Sequence, residues 1–272
     1  KTITTIKDPL ERAFTLLDDC RRFGTLPFAH LARSAFVAIT LLRGAERISA
    51  ISSKAVDSFL STIRTVSHSF TEDARNVFDD KLDWDTFVVR YGHLRPGTYD
   101  INSPRYDSDP DTFLKPMLSL PELSSSAVDT SADWLSERAA FFETVAELNL
   151  PSGGGDVEHF LKKAIEGREY AKFIFSRSLS DAIEALAEFG ESVGLNRKML
   201  ADIPVTDLLA MRDSENALDL SIKKLQLTSA ENLKKRALSS SIKLPSLLRE
   251  ESDFQFFTIG ADLPNFIGQV SI

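Results

Sequence analysis

Apolar residues recur at spacings of three and four along most of this 272-residue chain, the pattern of amphipathic α-helices. Asp8 and Pro9 resemble a helix start, with an N-cap residue followed by proline at the first helical position. We predict a first helix from there to Gly24, a second opened by Pro27, and a third that carries apolar positions from Val56 to Val66. Strand and helix patterns do not alternate, so the predicted class is all-α.

The rest of the chain continues this pattern. Helices are also predicted from about Asp83 to Gly92, around Trp134, over 157–175, from a Ser180 cap to Gly194, and from about Ser214 to Leu238, with the PSGGGD segment (Pro151 to Asp156) as a flexible break. We expect an irregular multi-helix domain over 1–260 with a long ordered loop near 92–111. A division into helical subdomains of about 1–120 and 121–260 stays open. The segments DFQFFTIG and FIGQVSI predict a short extended C-terminal tail.

Charge and cysteine content narrow the classes of partner. The formal net charge is −8 and the sequence pI is about 5.2, which argues against a nucleic-acid-binding surface. Cys20 is the single cysteine, so an intrachain disulfide and a multi-cysteine zinc site are excluded. These features fit a cytoplasmic protein with no nucleic-acid partner.

The longest apolar run, Phe28 to Leu42, contains His30 and Arg33 and is too short and too interrupted to predict a membrane span. No signal peptide is visible. The chain begins at Lys1 rather than methionine, and we therefore expect a piece of a longer protein.

Patterns typical of metal sites are weak. The segment DSDPD, Asp107 to Asp111, begins like a calcium-binding loop, but Thr112 and Leu118 stand where the pattern requires glycine and glutamate. The acidic cluster at residues 79–85 suits helix capping. The helical histidines lack a second histidine four residues on, so zinc-protease chemistry is absent. We predict no metal site, no cofactor and no catalytic residue in this chain.

A segment rich in charge lies where a helix cannot form. RYGHLRPGTYDINSPRYDSDP, Arg90 to Pro110, contains three prolines, which lack the backbone N–H and disfavour the helical conformation of the preceding residue. We therefore predict a loop, and its side chains make it the first candidate binding site.

Two arginines in this loop could bind an anion. Arg95 and Arg105 could each hold a carboxylate or phosphate through two hydrogen bonds, and His93 and Tyr99 could bond polar groups beside it. A structural alternative is equally open, in which Asp100 neutralises Arg95 or Arg105 and pins the loop.

The helix sequence GREYAKFIF supplies the remaining candidates. Arg168 and Lys172 lie four residues apart and so share one helical face, with Glu169 beside them. They would join the binding site if the loop packs against this face. The alternative is a solvated charged surface, on which ion pairs contribute little stability.

Two motifs resemble a known family. YGHLRPGTYDI followed by SPRYD resembles the signature of phosphoenolpyruvate-utilising enzymes, a group that includes phosphoenolpyruvate synthase-like proteins and rifampin phosphotransferase. The helix containing GREYAKFIFSRSLSDAIEALAEFGESVGL is similar to the R-E-x-x-K helix of that family and the helix after it. The match covers about Val88 to Leu195.

The resemblance implies a fragment of a phosphotransferase. The whole enzyme would use ATP and Mg²⁺ in an ATP-grasp domain and pass the phosphoryl group through a histidine on a swivelling domain to a small-molecule acceptor. Ser67-His68 lacks the glycine-rich context of that histidine. We therefore expect an acceptor-binding or linker helical domain, with 261–272 leading to the swivelling domain. The alternative is a non-catalytic helical module that docks partner domains or proteins.

Overall fold

Helices make up nearly all of the regular structure that the computed structural model describes, which covers residues 5–119, 132–148, 154–213, 218–243, 245, 247–256 and 258–259. This confirms the all-α class. The elements are α1 (Pro9–Asp19), α2 (Leu26–Arg47), α3 (Ser53–Ser61), α4 (Val66–Phe78), α5 (Trp84–Tyr91), α6 (Pro110–Phe113), α7 (Ala132–Ala146), α8 (Gly154–Ser192), α9 (Arg197–Leu200), α10 (Val205–Ala210), α11 (Leu218–Ser240), β1 (Ile242–Lys243) and β2 (Thr258–Ile259).

The first two predicted helices form one continuous helix. Asp8 caps α1 as predicted, but a π-helical segment, Cys20–Thr25, joins α1 directly to α2, and the predicted end at Gly24 is wrong. A Cβ atom at Gly24 would lie 2.6 Å from Cβ of Phe175. This glycine is therefore needed for close packing rather than for helix termination.

This continuous helix spans Pro9–Arg47, 39 residues, and is long and apolar enough to cross a membrane by length and composition alone. The helix is thus longer than the apolar run from Phe28 to Leu42, which by itself was too short to predict a membrane span. A core helix of a soluble protein and a signal sequence satisfy the same criterion.

The third predicted helix is two helices. The structure ends α3 at Ser61 and begins α4 at Val66, where the Thr65 hydroxyl accepts a hydrogen bond from the backbone N–H of His68. Helix α4 was not predicted beyond Val66. The N-cap bond favours an extended backbone at Thr65, which interrupts the helical path although the apolar spacing continues.

Conversely, α8 runs through a predicted break. Residues 154–156 of PSGGGD belong to α8, whereas 151–153 lie outside the described residues. The predicted cap at Ser180 is wrong, because Ser180 is a buried residue within α8 whose side chain accepts a hydrogen bond from Arg95.

The predicted C-terminal tail is only partly extended. Residues Glu251–Phe256 form a 3₁₀ helix, and β2 pairs antiparallel with β1, with Ile242 opposite Ile259. FIGQVSI and the proposed linker 261–272 lie outside the described residues.

The chain divides into two compact units, Lys1–Leu186 and Ala187–Ile272, with the boundary between them in α8. In the first unit, one core joins α2, α3, α7 and the first part of α8 around the fully buried Phe59, Trp134, Phe141 and Leu161. A second cluster joins α4 and α5 around Phe87, Tyr91 and Leu114, with Phe173 of α8 packed against it. In the second unit, Ser229 and Asn232 of α11 donate hydrogen bonds to the carbonyls of Met199 and Asp202.

Candidate functional site

Arg95 fastens the predicted loop to α8. Its side chain is 1% exposed and donates hydrogen bonds to the Ser103 carbonyl (3.1 Å), to the Ser180 carbonyl and hydroxyl (3.2 and 2.8 Å) and to Glu184 Oε1 (3.0 Å). Because these acceptors come from the loop and from the helix, the guanidinium joins the two. Arg95 therefore holds the loop in place, but through Ser103, Ser180 and Glu184 and not through Asp100.

Arg105 makes a second connection to the same helix. Its Nε and Nη2 atoms donate to the two carboxylate oxygens of Asp107, at 2.9 and 2.6 Å, and its Nη1 atom pairs with Asp181 of α8. These bonds outweigh the burial of the side chain, and the pKa of Arg105 is raised. The guanidinium of Arg105 thus binds two carboxylates of the chain itself.

Asp100 and Tyr99 of the loop do not join these arginines. The Asp100 carboxylate accepts hydrogen bonds from the backbone and side-chain nitrogens of Asn102, at 2.9 and 3.3 Å. The partners of Arg95 and Arg105 are therefore Glu184, Asp107 and Asp181, not Asp100 as the structural alternative supposed. Tyr99 is 71% exposed.

His93 lies beneath the loop, with a residue exposure of 4% and its ring centroid 5.0 Å from that of Phe173. Neither ring nitrogen makes a hydrogen bond of ordinary geometry with the described residues. Burial, together with the charge of Arg177 and against a smaller opposing contribution from the backbone of Phe173, lowers the pKa of His93 to about 4. The imidazole is therefore neutral near pH 7 and packs as a wall residue.

The helix candidates lie on a different part of α8. The guanidinium of Arg168 is 5.6 Å from the ring centre of Phe36 and 3.6 Å from the Glu169 carboxylate, and Lys172 is exposed. The loop arginines contact α8 from Ser180 onward, about 12 Å further along the axis than Lys172 at ~1.5 Å per residue. The structure therefore places the two predicted halves of the site apart.

One concave surface in the described part of the first unit was not predicted from the sequence. It is a groove of about 620 Å³ bounded by the start of α4, the end of α5 and the middle of α8. Tyr91, Tyr170, Phe173 and Ile174 supply apolar surface, and Arg64, Arg90, Lys163 and Arg177 supply four cations. Such a mixture of apolar wall and a few polar groups is typical of small-molecule sites.

Two of these cations are neutralised within the chain. Arg90 pairs with Asp73, which also accepts a hydrogen bond from the Tyr91 hydroxyl at 2.7 Å, and Lys163 lies 3.0 Å from Glu166. Glu166 is the one carboxylate among the residues that line the groove. Only the other two cations of the groove can therefore offer an uncompensated charge to a ligand.

Arg64 and Arg177 carry that charge. Within the described ranges, neither has a carboxylate within ion-pair distance, and Arg64 is exposed. Arg177 donates instead to the carbonyls of Val89 and Arg90, at 3.4 and 3.1 Å, near the end of α5. These bonds fix its guanidinium without neutralising it, so the groove can attract an anion.

The sequence contained little signal for this groove. Arg64, Arg90 and Arg177 come from three separate segments, and each is an ordinary surface arginine by local pattern. The helical spacing of Arg168 and Lys172 and the resemblance to an R-E-x-x-K helix both directed attention to the part of α8 that borders the groove. They led to Arg168, whereas the neighbouring Gly167 and Tyr170 line the groove.

The acidic residues of the loop serve structure. Asp109 accepts a hydrogen bond from the backbone N–H of Thr112 and caps α6, and Asp111 pairs with Lys115. Among the described residues, no group of three or more potential ligands could hold a metal ion.

Comparisons with known proteins find no matching family model, no matching curated protein and no matching solved structure. The likeness to phosphoenolpyruvate-utilising enzymes therefore rests on the sequence motifs alone.

Proposed function

We propose that this chain is the helical domain that binds the phosphoryl acceptor in a phosphoenolpyruvate synthase-like, ATP-dependent phosphotransferase, and that it is not catalytic alone. The observation that carries the proposal is the groove between α4, α5 and α8, with its aromatic wall and its two uncompensated arginines. A small molecule with an acidic group and an apolar part would satisfy both features.

In this proposal the chain contributes position and positive charge. Phosphoryl transfer depends on holding the acceptor in line and on cations that stabilise spreading negative charge. Arg64 and Arg177 would orient the acidic group of the acceptor, and the apolar wall would exclude water from its other end. In the whole enzyme, ATP and Mg²⁺ would bind to the ATP-grasp domain that the resemblance implies.

The loop that carries Arg95 and Arg105 would act on the groove indirectly. Arg95 and Arg105 hold the loop on α8, and the loop holds His93 against Phe173, which lines the groove. These residues would thus be positioning residues rather than ligands of the acceptor.

Binding to the isolated chain tests the proposal. Thermal shift and calorimetric titration with pyruvate, phosphoenolpyruvate and 2-naphthoate should show stabilisation by at least one of these anions, since a ligand selective for the folded state raises its stability. Arg64→Gln and Arg177→Gln should weaken this binding about tenfold, because each removes one charge-assisted hydrogen-bond donor.

Arg33→Gln is the matched control, since Arg33 is exposed and does not line the groove. Equal binding by all three variants, or no binding of any anion to the unmodified chain, would contradict the proposal.

A second candidate function, docking of partner domains, is favoured by exposed apolar side chains along the continuous helix Pro9–Arg47 and at Ile48, which follows it. Phe23, Leu26, Phe36, Val37 and Ile48 are each more than half exposed. An apolar surface of this kind is typical of a protein interface. The occupant in this reading is the ATP-grasp or phosphohistidine domain of the same polypeptide.

Val37→Ser and Ile48→Ser should then weaken association with those domains and leave anion binding unchanged. Phe78→Ser, an exposed position on α4, is the control. If sedimentation shows unchanged association for the first two variants, docking through these side chains is excluded.

A further inference from the structure

A second groove lies beside the first, on the other flank of one ridge of α8. It has a volume of about 450 Å³ and lies between α8 and the π-helical segment that follows α1. Tyr170 and Ile174 line both grooves, and they are 60% and 48% exposed. Because these residues are four apart on α8, they form a continuous apolar crest between the two grooves.

The two grooves differ in charge. The first offers Arg64 and Arg177 without carboxylate partners among the described residues, whereas the second is lined by Asp19 and by no cation. Its other lining side chains include Phe23, which is 75% exposed. An acidic group is therefore attracted to the first groove and repelled from the second, and an apolar group suits the second.

We propose that the ligand is an amphipathic molecule with one acidic group and a long or bulky apolar body. The acidic group lies between Arg64 and Arg177, and the body crosses the Tyr170 and Ile174 crest into the second groove. This inference rests on the proposed function and specifies the ligand class of that site. It adds the second groove, and with it a fixed direction for the ligand.

The charges nearby favour a single acidic group over a polyphosphate. Arg64 and Arg177 are the two cations that the first groove leaves uncompensated among the described residues, and Asp19 in the second groove repels any further negative charge of an extended polyanion. The described residues also lack a metal-ligand cluster that could offset such charge.

Two aromatic acids of different length test the inference on the whole 272-residue chain. 2-Naphthoate is short enough to stay in the first groove, and 4-(1-pyrenyl)butyrate can extend over the crest. We expect the pyrenyl acid to bind at least ten times more tightly than naphthoate, and its uncharged analogue 4-(1-pyrenyl)butanol to bind about ten times more weakly than the acid. Calorimetry and pyrene fluorescence give the dissociation constants.

Variants in the second groove separate this inference from the proposed function. Phe23→Ser removes exposed apolar surface there, and Ala171→Phe fills the groove, so both should reduce the advantage of the pyrenyl acid at least fivefold and leave naphthoate unchanged. Phe78→Ser removes an equally exposed phenylalanine that lines neither groove. Far-UV circular dichroism and urea midpoints verify that each variant is folded.

The outcomes differ for the two proposals. If the pyrenyl acid has no advantage, or keeps it in Phe23→Ser and Ala171→Phe, the second groove is not used, although anion binding that depends on Arg64 still supports the first. If Arg64→Gln binds both acids as well as the unmodified chain does, the first groove is not the anion site and both proposals fail. An advantage lost equally in Phe78→Ser reveals nonspecific adsorption and overturns the inference.

Discussion

Arg95 Nη2 and Glu184 Oε1 lie 3.0 Å apart and connect the loop after α5 to the long helix α8. The guanidinium is almost fully buried, whereas the carboxylate is about one-third exposed. The arginine therefore depends on its partners more than the glutamate does, because water can still solvate Glu184.

Replacing Arg95 by alanine should destabilise the chain by about 3 kcal/mol, since it breaks a buried hydrogen-bonded charge network. Urea unfolding measures the loss. Arg168→Ala is the matched control: its side chain is 41% exposed, and its contacts with Glu169 and Phe36 predict a loss below about 1 kcal/mol. Equal losses for both would contradict the anchoring role of Arg95.

His93 should make stability depend on pH. Its pKa is lowered from an ordinary value near 6.5 to about 4 in the folded chain, so the unfolded chain binds more protons between these values. The stability that the neutral His93 contributes is complete above pH 6.5 and decreases as the pH falls. At pH 4 the loss amounts to roughly 3 kcal/mol.

His93→Leu should remove this dependence and retain stability at pH 7, because it replaces by apolar surface two buried nitrogens that make no hydrogen bond of ordinary geometry with the described residues. His68→Gln, at an exposed position beside Glu72, should preserve the dependence. Urea midpoints from pH 7 to 4.5 compare the three chains. A slope that persists in His93→Leu would assign the titration to another group.

Two helical glycines predict opposite outcomes for the same substitution. Gly24→Ala places a Cβ atom 2.6 Å from Phe175 and should cost about 1–3 kcal/mol through overpacking. Gly44→Ala meets no atom within 4 Å and should stabilise α2 by about 1 kcal/mol. Thermal unfolding gives the sign of the stability change in each variant. A stabilised Gly24→Ala would show that α8 does not approach the π-helical segment closely.

The Tyr91 hydroxyl donates a hydrogen bond of 2.7 Å to Asp73, which also pairs with Arg90. Tyr91→Phe should therefore cost about 1 kcal/mol. Tyr99→Phe removes a hydroxyl from a residue that is 71% exposed and should change the free energy of unfolding by less than ~0.5 kcal/mol. Urea unfolding measures both changes. Equal changes in the free energy of unfolding would show that the hydrogen bond to Asp73 contributes no stability.

Local chemistry was predictable from the sequence. Asp8 and Asp83 cap α1 and α5 with hydrogen bonds of 2.7 Å to the third residue on, and Gly92 ends α5, all as the residue patterns indicated. Each of these features depends on a few neighbouring residues, so no distant contact could change it.

Features that depend on distant contacts were not predictable. Ser180 has the residue type of a helix cap, yet its hydroxyl bonds Arg95 from 85 residues away and α8 continues through it. Gly24 has the residue type of a helix end, yet it is required by Phe175. In both cases the residue type that is common at a helix boundary serves a tertiary contact instead: the Ser180 hydroxyl accepts a hydrogen bond, and Gly24 leaves room for Phe175.

The sequence by itself determined the all-α class, several helix caps and the presence of an arginine-bearing loop, because these follow from periodicity and from proline and cap chemistry. Only the tertiary structure decided which cations are neutralised. Arg95 and Arg105 find carboxylates on α8 and in the loop, whereas Arg64 and Arg177 reach the groove with none among the described residues. Charge compensation depends on distances in space, and those are set when helices pack.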